Sequence, residues 1–247
     1  KDGLNYTTLN LVHGEITRMR YGGNYKSHGP QYVRGIQEGN GIPEDGDLWL
    51  SYSVNKEDMW VSRIQVPVQL EATAHAKDDF SQAEKLADLT DWNLYSPLWA
   101  PVSLEGKWLK MSDRDPFDYC RIERKIPASK ELKVAFDIKA DQNDKGLLQI
   151  EFLDENSIAC ARIDLNPDGT MLSKGGARYG KLLNYEAGKS YHVEVILSVS
   201  KRMSEVFIDG KKAGQRMFFA PVAAIERIAF RTGERRTFPT IDTTADW

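Results

Sequence analysis

The chain has 247 residues, with 33 basic and 36 acidic side chains, a net charge of −3, 28% charged and 41% apolar residues. This excludes disorder over most of the chain and leaves room for one large domain or two smaller ones, each with a real core. Nearly balanced charge offers no broad attraction to a polyanion, so nucleic acid is not an expected partner, and no apolar run approaches the roughly 20 residues of a membrane-spanning helix.

Period-two alternation with β-branched and aromatic enrichment predicts strands over Tyr6 to Val12, Gln31 to Ile36, Asp47 to Ser53 and Met59 to Val66. Turn chemistry separates them at Gly22-Gly23-Asn24, Gly39-Asn40-Gly41 and Pro43-Glu44-Asp45-Gly46. These four strands make one antiparallel sheet, too small to cover both of its faces. Alternation stops between about Pro67 and Thr90, where Asp78, Asp79, Glu84, Lys85 and Asp88 surround small residues; a helical turn or two is expected near Asp79 to Leu86. The domain division is therefore 1–70, an acidic connector over 71–90, and 91–247.

The third part carries a second strand series: Trp108 to Met111, Tyr119 to Ile126, Leu132 to Ala140, Leu147 to Leu153, Ile158 to Leu165, Tyr191 to Val199, Glu205 to Asp209 and Ile225 to Arg231. Asn166-Pro167-Asp168-Gly169 and Asp209-Gly210 supply tight turns. So many short strands with almost no helix make the fold class all-β, with an antiparallel sandwich or jelly roll in this part.

Cys120 and Cys160 are too few for a disulfide scaffold and read as buried free thiols, with pairing in an oxidising compartment as the alternative. His13, His28, His75 and His192 lack zinc-ligand spacing, and no metal site is predicted from them. Asp113-Arg114-Asp115 and Asp141-Gln142-Asn143-Asp144 offer oxygen ligands without EF-hand spacing, so calcium is the one cofactor kept in view.

Asp2-Gly3-Leu4-Asn5-Tyr6 resembles the back half of the Asp-box (BNR) turn of sialidase-type repeats, with Tyr in place of Trp. Ser27-His28-Gly29-Pro30-Gln31-Tyr32-Val33-Arg34-Gly35 and the run from Leu48-Trp49-Leu50-Ser51-Tyr52 to Met59-Trp60-Val61-Ser62-Arg63 are similar to the last blade of bacterial sialidase-like β-propeller proteins that degrade glycans. Tyr191-His192-Val193-Glu194-Val195 and Val206-Phe207-Ile208-Asp209-Gly210 resemble the concanavalin-A or laminin-G-like sandwich that follows such propellers. The resemblance implies a terminal blade followed by a concanavalin-A-like sandwich. One blade takes about 40 to 45 residues, so the expectation is a C-terminal portion of a longer protein whose upstream blades are partners of 1–70.

Candidate chemistry follows from residue type and spacing. With strict alternation, Tyr32 and Arg34 share one face of their strand and Gln31 and Val33 the other. An arginine clamps a carboxylate with two parallel hydrogen bonds, and sialidases use arginines for that group and a tyrosine as nucleophile. The resemblance thus makes Arg34 a substrate-binding candidate and Tyr32 a catalytic one, with His28 beside them as a candidate acid or base. The polar turn Asn55-Lys56-Glu57-Asp58 offers Asn55, Glu57 and Asp58 as further substrate contacts. In the sandwich, Trp92 and Trp99 lead an aromatic cluster with Tyr95 and Trp108, and Arg178-Tyr179 follows the Lys174-Gly175-Gly176 loop; aromatic rings stack on the apolar faces of pyranoses.

The expected function is glycosidic bond hydrolysis on a polysaccharide or acidic glycan in a periplasmic or extracellular setting, with the sandwich binding glycan or bracing the propeller. A non-catalytic carbohydrate-binding or structural module, and a polysaccharide lyase, are the alternatives. The 247 residues by themselves are expected to be inactive.

Overall fold

A computed structural model of the chain describes residues 29–35, 47–64, 75–89, 91–96, 98–115 and 119–233, apart from the side chains of Asp58 and Ala87. The expected strand Tyr6 to Val12, the Asp2 to Tyr6 motif, His28, the turns within 36–46 and the closing residues 234–247 lie outside the described residues. The chain divides into two units, one holding residues 29–64 and the other residues 75–233. All regular structure among the described residues is strand, save one 3-10 turn at Leu86–Asp88.

The first unit is a three-stranded antiparallel sheet in the order β1 (Pro30–Gly35), β2 (Leu48–Val54), β3 (Asp58–Ile64). β2 and β3 pair without interruption from Leu48 opposite Ile64 to Val54 opposite Asp58. One face is pinned by Tyr52, whose hydroxyl lies 2.6 Å from Ser62 Oγ and whose ring sits 6.3 Å from that of Trp60. β1 departs from strict alternation. A bulge lies between Gln31, opposite Ser53, and Arg34, opposite Ser51. Since Ser51 and Ser53 share a face, Gln31 and Arg34 do too, and the expected Tyr32–Arg34 pairing on one face is corrected: the extra residue of the bulge shifts the alternation by one.

The second unit is built on two antiparallel sheets. A seven-stranded sheet runs β12 (Arg178–Asn184), β11 (Thr170–Gly175), β10 (Ala159–Leu165), β9 (Leu148–Leu153), β16 (Ile225–Thr232), β7 (Arg121–Ser129), β4 (Trp92–Tyr95). A four-stranded sheet runs β15 (Lys211–Met217), β14 (Met203–Ile208), β13 (Ser190–Ser198), β8 (Glu131–Lys139). A hairpin of β5 (Val102–Glu105) and β6 (Trp108–Met111) stands apart from both.

The two sheets share one core. Ile150, Phe152, Ile163, Ile225 and Ile228 from the larger sheet cluster with Val193, Val195, Leu197, Val206 and Ile208 from the smaller. Phe136 of β8 meets Phe230 of β16 edge-on at 5.2 Å, an inter-sheet aromatic contact of the favoured geometry. Each strand of that core alternates, so its other residues are committed to an outer face. A second cluster of Ala100, Val102, Cys120 and Ile122 lies under the hairpin, with Leu86 and Trp92 packed on it. The acidic segment 75–89 is tied to this unit: Arg124 pairs with Asp78 at 2.9 Å and with Asp91 at 3.1 Å, and Phe80 lies 5.6 Å from Trp92.

Candidate functional site

The outer faces of the two sheets carry similar residue types and differ in burial. On the four-stranded sheet the charges are solvated pairs: His192 Nδ1 to Asp137 at 2.7 Å, Lys133 to Glu194 at 2.7 Å and Lys212 to Glu205 at 2.7 Å. On the seven-stranded sheet, Glu151 faces Arg162 on one neighbour and Ala229 on the other, and Gln149 faces Asp164 and Arg231. Directly opposed residues share a face, so Gln149, Glu151, Arg162, Asp164, Ala229 and Arg231 form one polar surface. Its charges are sheltered: Glu151, Asp164 and Arg162 are 1%, 4% and 8% exposed.

Sheltering charge is costly unless it is paired. Arg162 Nε lies 2.9 Å from Asp164, close in distance but poorly aligned for a hydrogen bond, and its Nη1 lies 3.8 Å from Glu151. Burial pushes the Asp164 carboxyl above its ordinary range, and the Arg162 guanidinium opposes that rise without cancelling it. Two carboxylates thus share one guanidinium. The Arg162 Nη2 donates to the Tyr179 hydroxyl.

Tyr179 is the ring this cluster presents. It sits on the edge strand β12 opposite Lys174, is 48% exposed, and has the Arg162 guanidinium and the Lys174 ammonium each 5.9 Å from its centroid. Lys174 also lies 4.5 Å from the Phe219 ring, which packs on Leu153, Ala159 and Ala229. The half-exposed Tyr179 ring, with the part-buried Lys174 beside it, can stack on the apolar face of a pyranose, while the sheltered Arg162 row braces the ring from within.

The aromatic candidates of the sandwich separate. Trp92 packs inward on the hairpin cluster and its buried Nε1 has no hydrogen-bond partner among the described residues. Trp99 is 64% exposed on the turn before β5, beside the exposed Leu98. In the first unit, Tyr32 is 66% exposed and Arg34 is exposed, whereas Asn55 is 1% exposed. The Asn55 side-chain oxygen accepts the Gly29 N–H at 2.8 Å, and its own N–H donates to the Gly29 carbonyl at 3.1 Å. Glu57 is part-buried in the same turn, its N–H donating to the Val54 carbonyl at 3.0 Å. Asp58 begins β3 with its side chain outside the described residues, as is His28.

Alternation read from sequence points Gln149, Glu151, Arg162 and Asp164 outward from β9 and β10, but not their burial, and it leaves Lys174 and Tyr179 in a loop. No group of His, Cys, Asp or Glu among the described residues is placed to hold a metal ion. Asp141 of the acidic loop lies 3.9 Å from both Lys110 and Lys139, and the Asp113 carboxylate accepts the Asp115 N–H at 2.9 Å. Both cysteines are free and buried, as their composition suggested.

The fold and surfaces define a two-sheet antiparallel β-sandwich module in one chain with a small antiparallel sheet. Residues 92–247 match the family model "Sialidase-like, CBM domain", where CBM stands for carbohydrate-binding module; the chain belongs to this family. A solved structure described as "Sialidase" is 72% identical, with a TM-score of 0.91 over 100% of this chain and 23% of that chain. The chain therefore spans about a quarter of that relative's length. The structure "Apo Crh5 transglycosylase", 12% identical with a TM-score of 0.50 over 65% of this chain and 69% of that one, shares the fold alone. No curated protein matches the chain.

Proposed function

We propose that this chain is the carbohydrate-recognising part of a glycan-degrading protein, and that its sandwich binds polysaccharide or acidic glycan. The observation that carries this reading is the match of residues 92–247 to the sialidase-like CBM family. Tyr179, with Lys174 and Arg162 against it, is the stacking platform, and Trp99 is a second exposed ring. Arg231 continues the polar surface, its Nη1 lying 3.5 Å from Gln149 Oε1 and its guanidinium 4.1 Å from the Tyr119 ring centroid.

On the same reading β1–β3 belong to the last blade of a propeller. Met59 and Val61 stand exposed on the face they share with Ser51 and Ser53; a neighbouring upstream blade would bury that apolar surface. Arg34 orients an acidic sugar at this unit, Tyr32 and His28 assist glycosidic cleavage, and Glu57 and Asp58 extend the polar rim. The parent protein works in the periplasm or outside the cell.

Two measurements test the proposal. The chain is applied to an array of neutral and acidic glycans, and the full-length parent is assayed on a glycan that binds. Binding by the chain and new reducing ends from the parent are expected. The absorbance of an unsaturated uronate would make the parent a lyase, binding without cleavage would make it a non-catalytic module, and absence of binding contradicts the reading.

A further inference from the structure

β12 and β15 end their sheets and meet at one edge of the sandwich. β12 brings Arg178 and Lys181 to that edge, β15 brings Lys211, Lys212 and Arg216, and neither strand holds an acidic residue. The register turns two of these cations to the same side. Gly180 opposes Ser173, which opposes the core residue Ile163, so Arg178, two residues from Gly180 and opposite Gly175, faces the seam between the sheets. Arg216, two residues from Gly214, which opposes the core residue Val206, faces the same seam. Its stem passes Gly175 and its guanidinium lies across Gly180, so both arginines gather over one pair of glycines. The carboxylates around them are engaged: Glu205 takes Lys212 at 2.7 Å, Asp209 accepts the His192 N–H at 3.0 Å, and Asp168 accepts the Thr170 N–H at 3.0 Å. Among the described residues Arg178, Lys181 and Lys211 form no ion pair, and the Arg216 guanidinium donates only to the Gln215 carbonyl, at 3.0 Å. In a chain of net charge −3, unneutralised cations gathered on two abutting strands repel one another until an anion lies between them.

We infer that this seam is a site for the sulfate ester of a glycan, with Arg178 and Arg216 as the paired guanidiniums that take the sulfate and Lys181 and Lys211 as the cations that follow the polymer along the edge. The inference rests on the proposed glycan-directed function and names its substrate class, a sulfated polysaccharide. A sulfate ester presents three outward oxygens, so two planar guanidiniums can share it through charge-assisted hydrogen bonds, as they share a phosphate. A carboxylate has two oxygens and satisfies one guanidinium fork, so sulfate is preferred over uronate. A hydroxyl brings no charge and leaves the two arginines in repulsion.

The test is calorimetric titration of the whole chain with chondroitin sulfate and with the same polymer chemically desulfated, which keeps its uronate carboxylates. The wild type is expected to bind the sulfated form about tenfold more tightly, the worth of one charge-assisted contact, and to lose affinity as salt rises. Arg178→Gln is expected to remove the preference by weakening the sulfated form alone, and Arg178→Lys, which keeps the charge but not the fork, to retain part of it. Lys130→Gln combined with Lys133→Gln removes more charge, at and beside β8, the far edge of the four-stranded sheet, and is expected to leave the preference intact. Tyr179→Ala weakens both forms alike. Equal binding of the two polymers by the wild type, an undiminished preference in Arg178→Gln, or an equal loss in the Lys130/Lys133 variant overturns the inference, the last by showing attraction to charge without a site; if glycan binding through Tyr179 persists in that case, the proposed function stands. Absence of all glycan binding by the wild type overturns both.

Discussion

Arg216 of β15 runs its side chain past Gly175 of β11, so closely that a methyl group at Gly175 would lie 2.7 Å from Arg216 Cβ and 2.9 Å from its Cδ. The guanidinium continues across Gly180 of β12, where a methyl would overlap it. The two sheets thus meet at this edge over a pair of glycines. At Gly175 the obstruction is the stem of the arginine, which cannot move without its strand; at Gly180 it is the mobile tip. Gly175→Ala is expected to cost about 1–3 kcal/mol, the usual range for overpacking, and Gly180→Ala less. Chemical denaturation of both variants checks this, alone and combined with Arg216→Ala: alanine at 216 keeps the nearest atom, Cβ, so the combination should recover little of the Gly175→Ala loss and most of the Gly180→Ala loss.

Arg162 holds two sheltered carboxylates at once. Arg162→Met leaves Glu151 and Asp164 buried without their cation, and breaking such a group typically costs about 3–5 kcal/mol. Tyr179→Phe keeps the ring and removes only the hydroxyl that accepts from Arg162. It should cost about 1 kcal/mol of stability and leave most glycan binding in place. Equilibrium unfolding of the two variants, with titration of a bound glycan, separates the scaffold role from the platform role.

Both thiols are inert in the folded chain. Cys120 and Cys160 are fully buried, and burial pushes the Cys160 thiol up to about 12, so almost no thiolate exists at neutral pH. A chromogenic disulfide reagent should detect no rapidly reacting thiol in native protein and two per chain in denaturant, matching the two cysteines of the sequence. None after denaturation would mean that they pair.

Two acidic groups give pH dependence of opposite sign. Glu131 accepts from Ser198 at 2.7 Å and Ser200 at 2.8 Å, and these bonds hold its carboxyl below the ordinary range. Its stabilising contribution is present above the unfolded pKa and disappears as pH falls through the lower folded value. Asp164 is held above the ordinary range, so its unfavourable contribution is full above the folded value and is relieved as pH falls through it. Thermal melts from neutral to acid pH should show the advantage of wild type over Glu131→Gln shrinking with acid. The Asp164→Asn comparison should move the other way; parallel curves in either case contradict the assignment.

Much of this fold was legible because alternation survives in strands buried on one face. Val134-Ala135-Phe136-Asp137-Ile138 and Val193-Glu194-Val195-Ile196-Leu197 read as strands and are central parts of β8 and β13. Five described strands of the second unit escaped, β4, β5, β11, β12 and β15, and the last two imitate a loop in composition. β12 carries Arg178, Gly180 and Lys181, and β15 carries Lys211, Lys212 and Gly214. Each ends its sheet, where charge and glycine discourage pairing with another chain. β4 likewise ends its sheet and is only four residues long.

The candidate sites divide similarly. Tyr179 and Trp99 were visible as aromatic residues near loops, but the burial of Glu151, Arg162 and Asp164 depends on neighbours distant in sequence. The Tyr32 bulge is a single inserted residue, and nothing in Pro30-Gln31-Tyr32-Val33-Arg34 announces it. Asn55 belonged to a polar turn by composition, yet its amide is spent on Gly29, a contact spanning 26 residues.

The central claim, glycan recognition by the sandwich, is tested most directly by titrating the whole chain with the best-bound array glycan, in wild type and in Tyr179→Ala. Saturable binding that falls by about tenfold or more in the variant, with a melting temperature only a few degrees lower from loss of the hydroxyl that accepts from Arg162, is the predicted result. Binding that Tyr179→Ala leaves untouched, or no saturable binding by the wild type, would contradict it.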